Sequence, residues 1–169
     1  MASAQNAELL VASYEGDVEK VRQLLDKNTP VDVQNEDGNT ALHEASWRGH
    51  KEVAQQLLDK NAPVDVQNKD GDTALHLASS CGHEEVVELL LDNNAPVDVD
   101  NKDGNTALHL ASREGQKEVV ELLLDQNAPV DVQNNDGDTA LHLAINYRHE
   151  EVAQLLDKHA TSSSAEEGW

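Results

Sequence analysis

Asp70-Gly71-Asp72-Thr73-Ala74-Leu75-His76-Leu77-Ala78 decides the fold, because it returns. Asp37-Gly38-Asn39-Thr40-Ala41-Leu42-His43 stands 33 residues before it. Asp103-Gly104-Asn105-Thr106-Ala107-Leu108-His109 and Asp136-Gly137-Asp138-Thr139-Ala140-Leu141-His142 follow at the same spacing. The prolines Pro30, Pro63, Pro96 and Pro129 keep that period. A fixed period of this length signals stacked units whose contacts are mainly with their neighbours.

Working outward from the repeat, Asn35-Glu36-Asp37-Gly38 reads as a tight turn, since Asp-Gly supplies the positive φ that hairpin-like turns need. Thr40 stands where a helix N-cap belongs. A first helix follows over about 41–48, burying Leu42 and Ala45, and Gly49 breaks it. A second helix is expected over about 51–60, with Val53, Ala54, Leu57 and Leu58 inward. Residues 61–66, marked by Pro63, return extended to the next turn.

The units are 34–66, 67–99, 100–132 and 133–160, preceded by a degenerate unit at 1–33. In that first unit Ala4-Gln5 replaces Asp-Gly, and helices are expected over about 5–14 and 17–27, the second with Val18, Val21, Leu24 and Leu25 as its apolar stripe. A terminal unit without its turn reads as a cap. The last unit has Arg148 in place of the glycine between its helices and Asp157 where Leu58, Leu91 and Leu124 stand, as an outer face meeting water requires. The whole reads as one repeat domain over 1–160. Residues 161–169 form a polar tail with no apolar period, expected to be loosely ordered.

The composition agrees. Hydrophobic residues make up 38% and Phe is absent, so the core is built from Leu, Val and Ala, which suits thin helical layers. A net charge of −21 argues against a nucleic-acid or anionic-membrane surface and permits a basic partner. One cysteine, Cys81, excludes an internal disulfide framework. The start Met1-Ala2-Ser3-Ala4-Gln5-Asn6 has neither the basic nor the apolar segment of a secretory signal, and no apolar run approaches the roughly 18 residues of a membrane span. A cytoplasmic monomer is expected, with the nucleus as the other compartment open to it.

An Asp-Gly turn, a Thr-x-Leu-His helix start, Gly-His between helices and Glu-Val-x-x-Leu-Leu in the second helix, all at period 33, resemble the ankyrin repeat over about residues 5–160. The resemblance implies an all-α solenoid of stacked helix-turn-helix units with hairpin-like turns. The family's Thr-Pro-Leu-His is Thr-Ala-Leu-His here, an exchange of one residue suited to the helix start for another. Its Gly-Ala-Asp-Val-Asn is Asn-Ala-Pro-Val-Asp, so Asp32, Asp65, Asp98 and Asp131 stand where many members carry the Asn that is hydroxylated in some.

No residue set reads as catalytic, metal-binding or cofactor-binding. His43, His76, His109 and His142 lie in different layers, roughly 10 Å apart in such stacks, too far to share a metal whose ligands sit at about 2 Å. Their fixed place after Thr-Ala-Leu suggests a structural hydrogen bond near the turn. His50, His83 and His149 are periodic too, with Gln116 as the fourth member. Cys81 has His83 nearby but no third group to complete a nucleophile's machinery. Turn carboxylates such as Asp70 and Asp72 lack the ligand count of a calcium loop, and no phosphate-loop, dinucleotide or His-Glu-x-x-His motif occurs.

Units 67–99 and 100–132 differ at seven positions, and across the array the variation clusters beside the turn glycine and at the end of the first helix. The residues are Glu36, Asn39, Trp47 and Arg48; Lys69, Asp72, Ser80 and Cys81; Lys102, Asn105, Arg113 and Glu114; Asn135, Asp138, Asn146 and Tyr147. The cap adds Tyr14 and Glu15, and Glu44 departs from Leu77, Leu110 and Leu143, putting an acid beside Trp47. The resemblance places these on one concave groove. Three of the four aromatic residues fall among them, and exposed aromatics are common interface anchors. Charges at the sixteen positions of the full units cancel, so a mixed-charge protein or peptide fits as well as a basic one. The expected function is non-catalytic protein binding. The near-identity of the inner units leaves a consensus-type engineered scaffold without a natural partner as the alternative.

Overall fold

The computed structural model describes residues 2–166. It is all-helical, with no strand among the described residues. The helices are α1 (Ala2–Glu15), α2 (Val18–Asp26), α3 (Ala41–Arg48), α4 (Lys51–Asp59), α5 (Ala74–Cys81), α6 (Glu84–Asp92), α7 (Ala107–Arg113), α8 (Lys117–Asp125), α9 (Ala140–Asn146) and α10 (Glu150–Glu166). The first helices stack in the order α1, α3, α5, α7, α9, and the second helices likewise from α2 to α10. The result is the two-layered solenoid expected. Leu42, Leu75 and Leu108 from the first row, with Leu57, Leu90 and Leu123 from the second, form one continuous core. No helix among the described residues is long and apolar enough to cross a membrane.

Each turn is a three-residue hairpin loop. The Gly38 amide donates to the Asn35 carbonyl at 3.0 Å, and the Asn35 amide donates to the Asn39 carbonyl at 2.9 Å. Glu36 and Asp37 keep negative φ, and Gly38 alone takes the left-handed region, at φ 80°. This is a type I turn closed by a left-handed glycine. A Cβ on Gly38 would also lie 2.9 Å from the Lys69 backbone nitrogen of the next turn. Successive turns are joined by single backbone bonds: Lys69 donates to Asp37 at 2.9 Å, Lys102 to Asp70 at 3.0 Å, and Asn135 to Asp103 at 2.9 Å.

The repeated Thr and His then start the helix. Thr40 is an extended N-cap whose hydroxyl oxygen accepts the His43 amide at 3.4 Å, and His43 Nδ1 accepts the Thr40 amide at 3.1 Å. This is a capping box with imidazole where a carboxylate is usual. Because Nδ1 accepts, the ring is neutral and its proton sits on Nε2. That proton goes to the Asp72 carbonyl of the next unit at 2.9 Å; His76 does the same to Asn105 at 3.0 Å. His109 shares its proton between Val132 and Asp138, at 3.0 and 3.1 Å.

Asn28, Asn61, Asn94 and Asn127 end the second helices in the left-handed region, at φ 57–63°, where Asn is the side chain best suited after glycine. The tail departs from expectation: α10 continues through residues 161–166. The Asn-Ala-Pro stop of the three preceding units is Ala160-Thr161-Ser162 here. With no left-handed Asn and no Pro, nothing ends the helix, and Thr161 and Ser162 bond back to the Lys158 carbonyl at 2.9 and 3.0 Å. Trp169 lies outside the described residues.

Candidate partner-binding groove

The second histidine set links the two helical rows. His50 Nε2 donates to the Tyr14 carbonyl at 3.0 Å, His83 to Trp47 at 2.9 Å, and His149 to Arg113 at 2.8 Å. Gln116 fills the vacant place with its amide, donating to Ser80 at 3.1 Å. The exchange of His for Gln therefore preserves one N–H donor at one point. These bonds satisfy carbonyls at the ends of the preceding first helices, which the chain would otherwise leave bare. They also fix the backbone of residues expected to meet a partner.

The glycine between helices is required by this packing. Gly49 has φ 75°, and a Cβ there would fall 2.6 Å from His83 Nδ1. Arg148 keeps the left-handed conformation, at φ 64°, in the last unit. Asp157, at the outer face of that unit, is exposed, unlike the buried Leu58, Leu91 and Leu124.

The sixteen positions divide into three bands with different settings. Glu36, Lys69, Lys102 and Asn135 stand exposed on the turn tips, although Asn135 also donates to the Lys102 carbonyl at 2.7 Å. The residues after the turn glycine are mostly engaged within the array. Asn68 Nδ2 donates to Asn39 Oδ1 at 2.8 Å, Asn101 to Asp72 at 2.8 Å, and Asn134 to Asn105 at 2.9 Å. This side-chain ladder needs an acceptor oxygen, which Asn and Asp both offer, so variation there preserves one structural function. Asn105 is only 6% exposed. Asp138, in the last unit, receives no such bond; its carboxylate stands 3.9 Å from His142 Nδ1.

Glu44 also differs from the surface position expected. It is 7% exposed, and its carboxylate accepts from Asn35 Nδ2 at 2.9 Å, under its own turn. Burial pushes its carboxyl upward, and Asp37 adds to this, while Asn39 and Asn35 oppose it. Glu44, Asn39, Asp72 and Asn105 thus serve the turns and their junctions rather than an open face.

The third band, at the ends of the first helices, is the most open. Tyr14 and Trp47 lie with ring centroids 5.8 Å apart and planes at 50°, and the Arg48 guanidinium covers the Tyr14 ring at 4.8 Å. They are 38% and 47% exposed. Val11, one turn before Tyr14 on the same face of α1, is 54% exposed. It aligns with Glu44, which a turn covers; the missing Asp-Gly of the first unit was the signal that it would be bare. Ser80 is half-buried and Cys81 exposed. Burial, and then the Glu114 carboxylate, raise the Cys81 thiol's pKa, which opposes a thiolate nucleophile. Arg113 Nε donates to Glu114 at 2.9 Å.

At the far end the bands face one another across a depression of about 610 Å³. Turn residues Asp103, Asn135, Asp136 and Asp138 line one side, and Arg113, Asn146 and Tyr147 the other. Tyr147 is 56% exposed. The array therefore carries an aromatic and aliphatic cluster at its beginning and an acid-lined depression at its end.

The family model described as ankyrin repeats (three copies) matches residues 9–101 and 93–165. No curated protein matches the chain.

Proposed function

This chain belongs to the ankyrin-repeat family, and on that premise we propose that it is a non-catalytic module that binds another protein or peptide along the face formed by its turn tips and first-helix ends. Ankyrin repeats are generally protein–protein interaction modules. The observation that carries the reading is the Tyr14–Trp47–Arg48 cluster, an aromatic pair left open to solvent at the edge of a well-packed array. The four Thr–His capping boxes, the asparagine ladder and the linking histidines serve folding, which leaves these side chains as the distinctive chemistry of the surface. Partly exposed Trp, Tyr and Arg are the residue types that most often dominate interface energy. A cytoplasmic or nuclear monomer with a basic or mixed-charge partner agrees with the single cysteine and the charges along this face.

The test compares proteins captured by the parent chain with those captured by Tyr14→Ala and Trp47→Ala variants of unchanged thermal stability. Loss of specific partners supports the reading. Retention by both variants, with loss on substituting exposed second-helix residues, rejects it. The near-identity of units 67–99 and 100–132 favours a second reading, a consensus-type scaffold without a natural partner, for which no capture would respond to these substitutions.

A further inference from the structure

On the reading that the groove binds a partner, we propose that this partner is an extended segment carrying an apolar side chain near one end and a Lys or Arg about nine residues away. The apolar side chain seats against Val11, Tyr14 and Trp47; the basic one enters the depression lined by Asp103, Asp136 and Asp138.

The two ends differ in chemistry for structural reasons. At the first unit the absent turn uncovers Val11, and the α1 and α3 ends bring Tyr14 and Trp47 together. Arg48 is stacked on Tyr14, so a positive charge already stands there and disfavours a second. At the last unit the asparagine ladder stops, so the Asp138 carboxylate, whose counterpart Asp72 is occupied by Asn101, is open to a ligand. Asp136 and Asp103 line the same space. Arg113 borders it but is paired with Glu114, so the depression stays negative.

Asn105 points to a ligand independently of the acids. It is more than nine-tenths buried and lines the depression; its Oδ1 is taken by Asn134, while its Nδ2 has no hydrogen-bond partner among the described residues. In the second unit the matching Asn39 has Glu44 beside it. Leu110 stands in Glu44's place here and offers no acceptor. That Nδ2 keeps its contact with solvent in the depression, so a backbone carbonyl of the bound segment can accept from it as the basic side chain reaches the carboxylates.

Geometry sets the spacing. Stacked helices lie about 8–10 Å apart, and three unit-to-unit steps separate the centres of the two clusters, so the span is roughly 27 Å. An extended chain advances about 3.3 Å per residue, which gives about eight to ten residues. Lys69 on the intervening turn tip disfavours a basic residue between the two anchors, while Lys102 stands on the same turn as Asp103 at the edge of the depression.

The test is selection of 16-residue peptides from a random display library on the intact chain, then binding measurements on the enriched peptides. Enriched sequences are expected to pair an apolar residue with Lys or Arg at the stated spacing. Asp136→Asn/Asp138→Asn should weaken them roughly tenfold and remove the basic preference alone. Trp47→Ala should remove the apolar preference alone. Thermal unfolding establishes that both variants are folded. Peptides that depend on these residues but lack the pairing, or carry acids at the depression end, overturn this inference and leave groove binding standing. Peptides indifferent to both sets of substitutions, or no enrichment, overturn both.

Discussion

His43 Nε2 lies 2.9 Å from the main-chain oxygen of Asp72, so the cap of one unit's helix is tied to the turn of the next. The same ring accepts the Thr40 amide through Nδ1. Acceptance at Nδ1 requires neutral imidazole, and burial holds the His43, His76 and His109 rings below the usual histidine pKa; for His76 and His109 too, burial is the largest cause.

Stability is therefore expected to fall on mild acidification. The folded pKa values are depressed, so below about pH 6.5 the unfolded chain binds more protons than the folded one. The contribution of these rings is full above about pH 6.5 and is lost as pH falls from there through the folded values. Denaturant unfolding at pH 7.5, 6 and 5 reads this slope. His76→Ala should flatten it and cost about 2 kcal/mol at pH 7.5, because it leaves a buried cap amide and a carbonyl unpaired.

Gly49→Ala should destabilise by about 2 kcal/mol, since left-handed geometry alone costs a side chain roughly 1–2 kcal/mol and the His83 ring occupies the space its Cβ needs. Arg148→Gly should act in the opposite sense, gaining about 1 kcal/mol by relieving the φ of 64° in the last unit. Equilibrium unfolding of the two variants checks the pair.

Ser79→Ala should raise stability by about 1 kcal/mol. The hydroxyls of Ser13, Ser46, Ser79 and Ser112 are buried with no hydrogen-bond partner among the described residues, at one repeated position of the first helices. Removing an unpaired buried hydroxyl relieves its desolvation cost, and alanine favours the helix. An unchanged or lower unfolding midpoint would show that each hydroxyl has a partner.

Glu44→Gln should stabilise the array at pH 7 and have little effect near pH 4. The folded carboxyl pKa is raised, so its stabilising contribution is present below about pH 4.5 and is lost as pH rises through the folded value. Glutamine can still accept from Asn35 without a buried charge. Thermal midpoints at the two pH values measure the difference.

The candidate face was outlined from the variable positions, with one systematic exception. Variation beside the turn glycine read as surface, yet Asn39, Asp72 and Asn105 are joints between units. Sequence comparison sees that Asn and Asp differ; it does not see that the neighbouring Asn asks only for an oxygen. Likewise His83 and Gln116 look unlike and donate the same kind of bond. Val11 was recoverable from the missing turn, and the length of α10 from the loss of Asn-Ala-Pro.

By itself the sequence determined the unit, its period, the helix starts and the inner and outer faces, because those follow from local rules: left-handed glycine, a capping Thr and apolar residues spaced for a helix. Tertiary structure decided which variable residues are free. Freedom depends on whether the adjoining unit supplies a partner for the same atom, and that is a relation across 29 or 36 residues which no local pattern contains. So Tyr14 and Trp47 meet and Arg48 covers one of them, Asp138 is open while Asp72 is occupied, and Glu44 lies beneath its own turn.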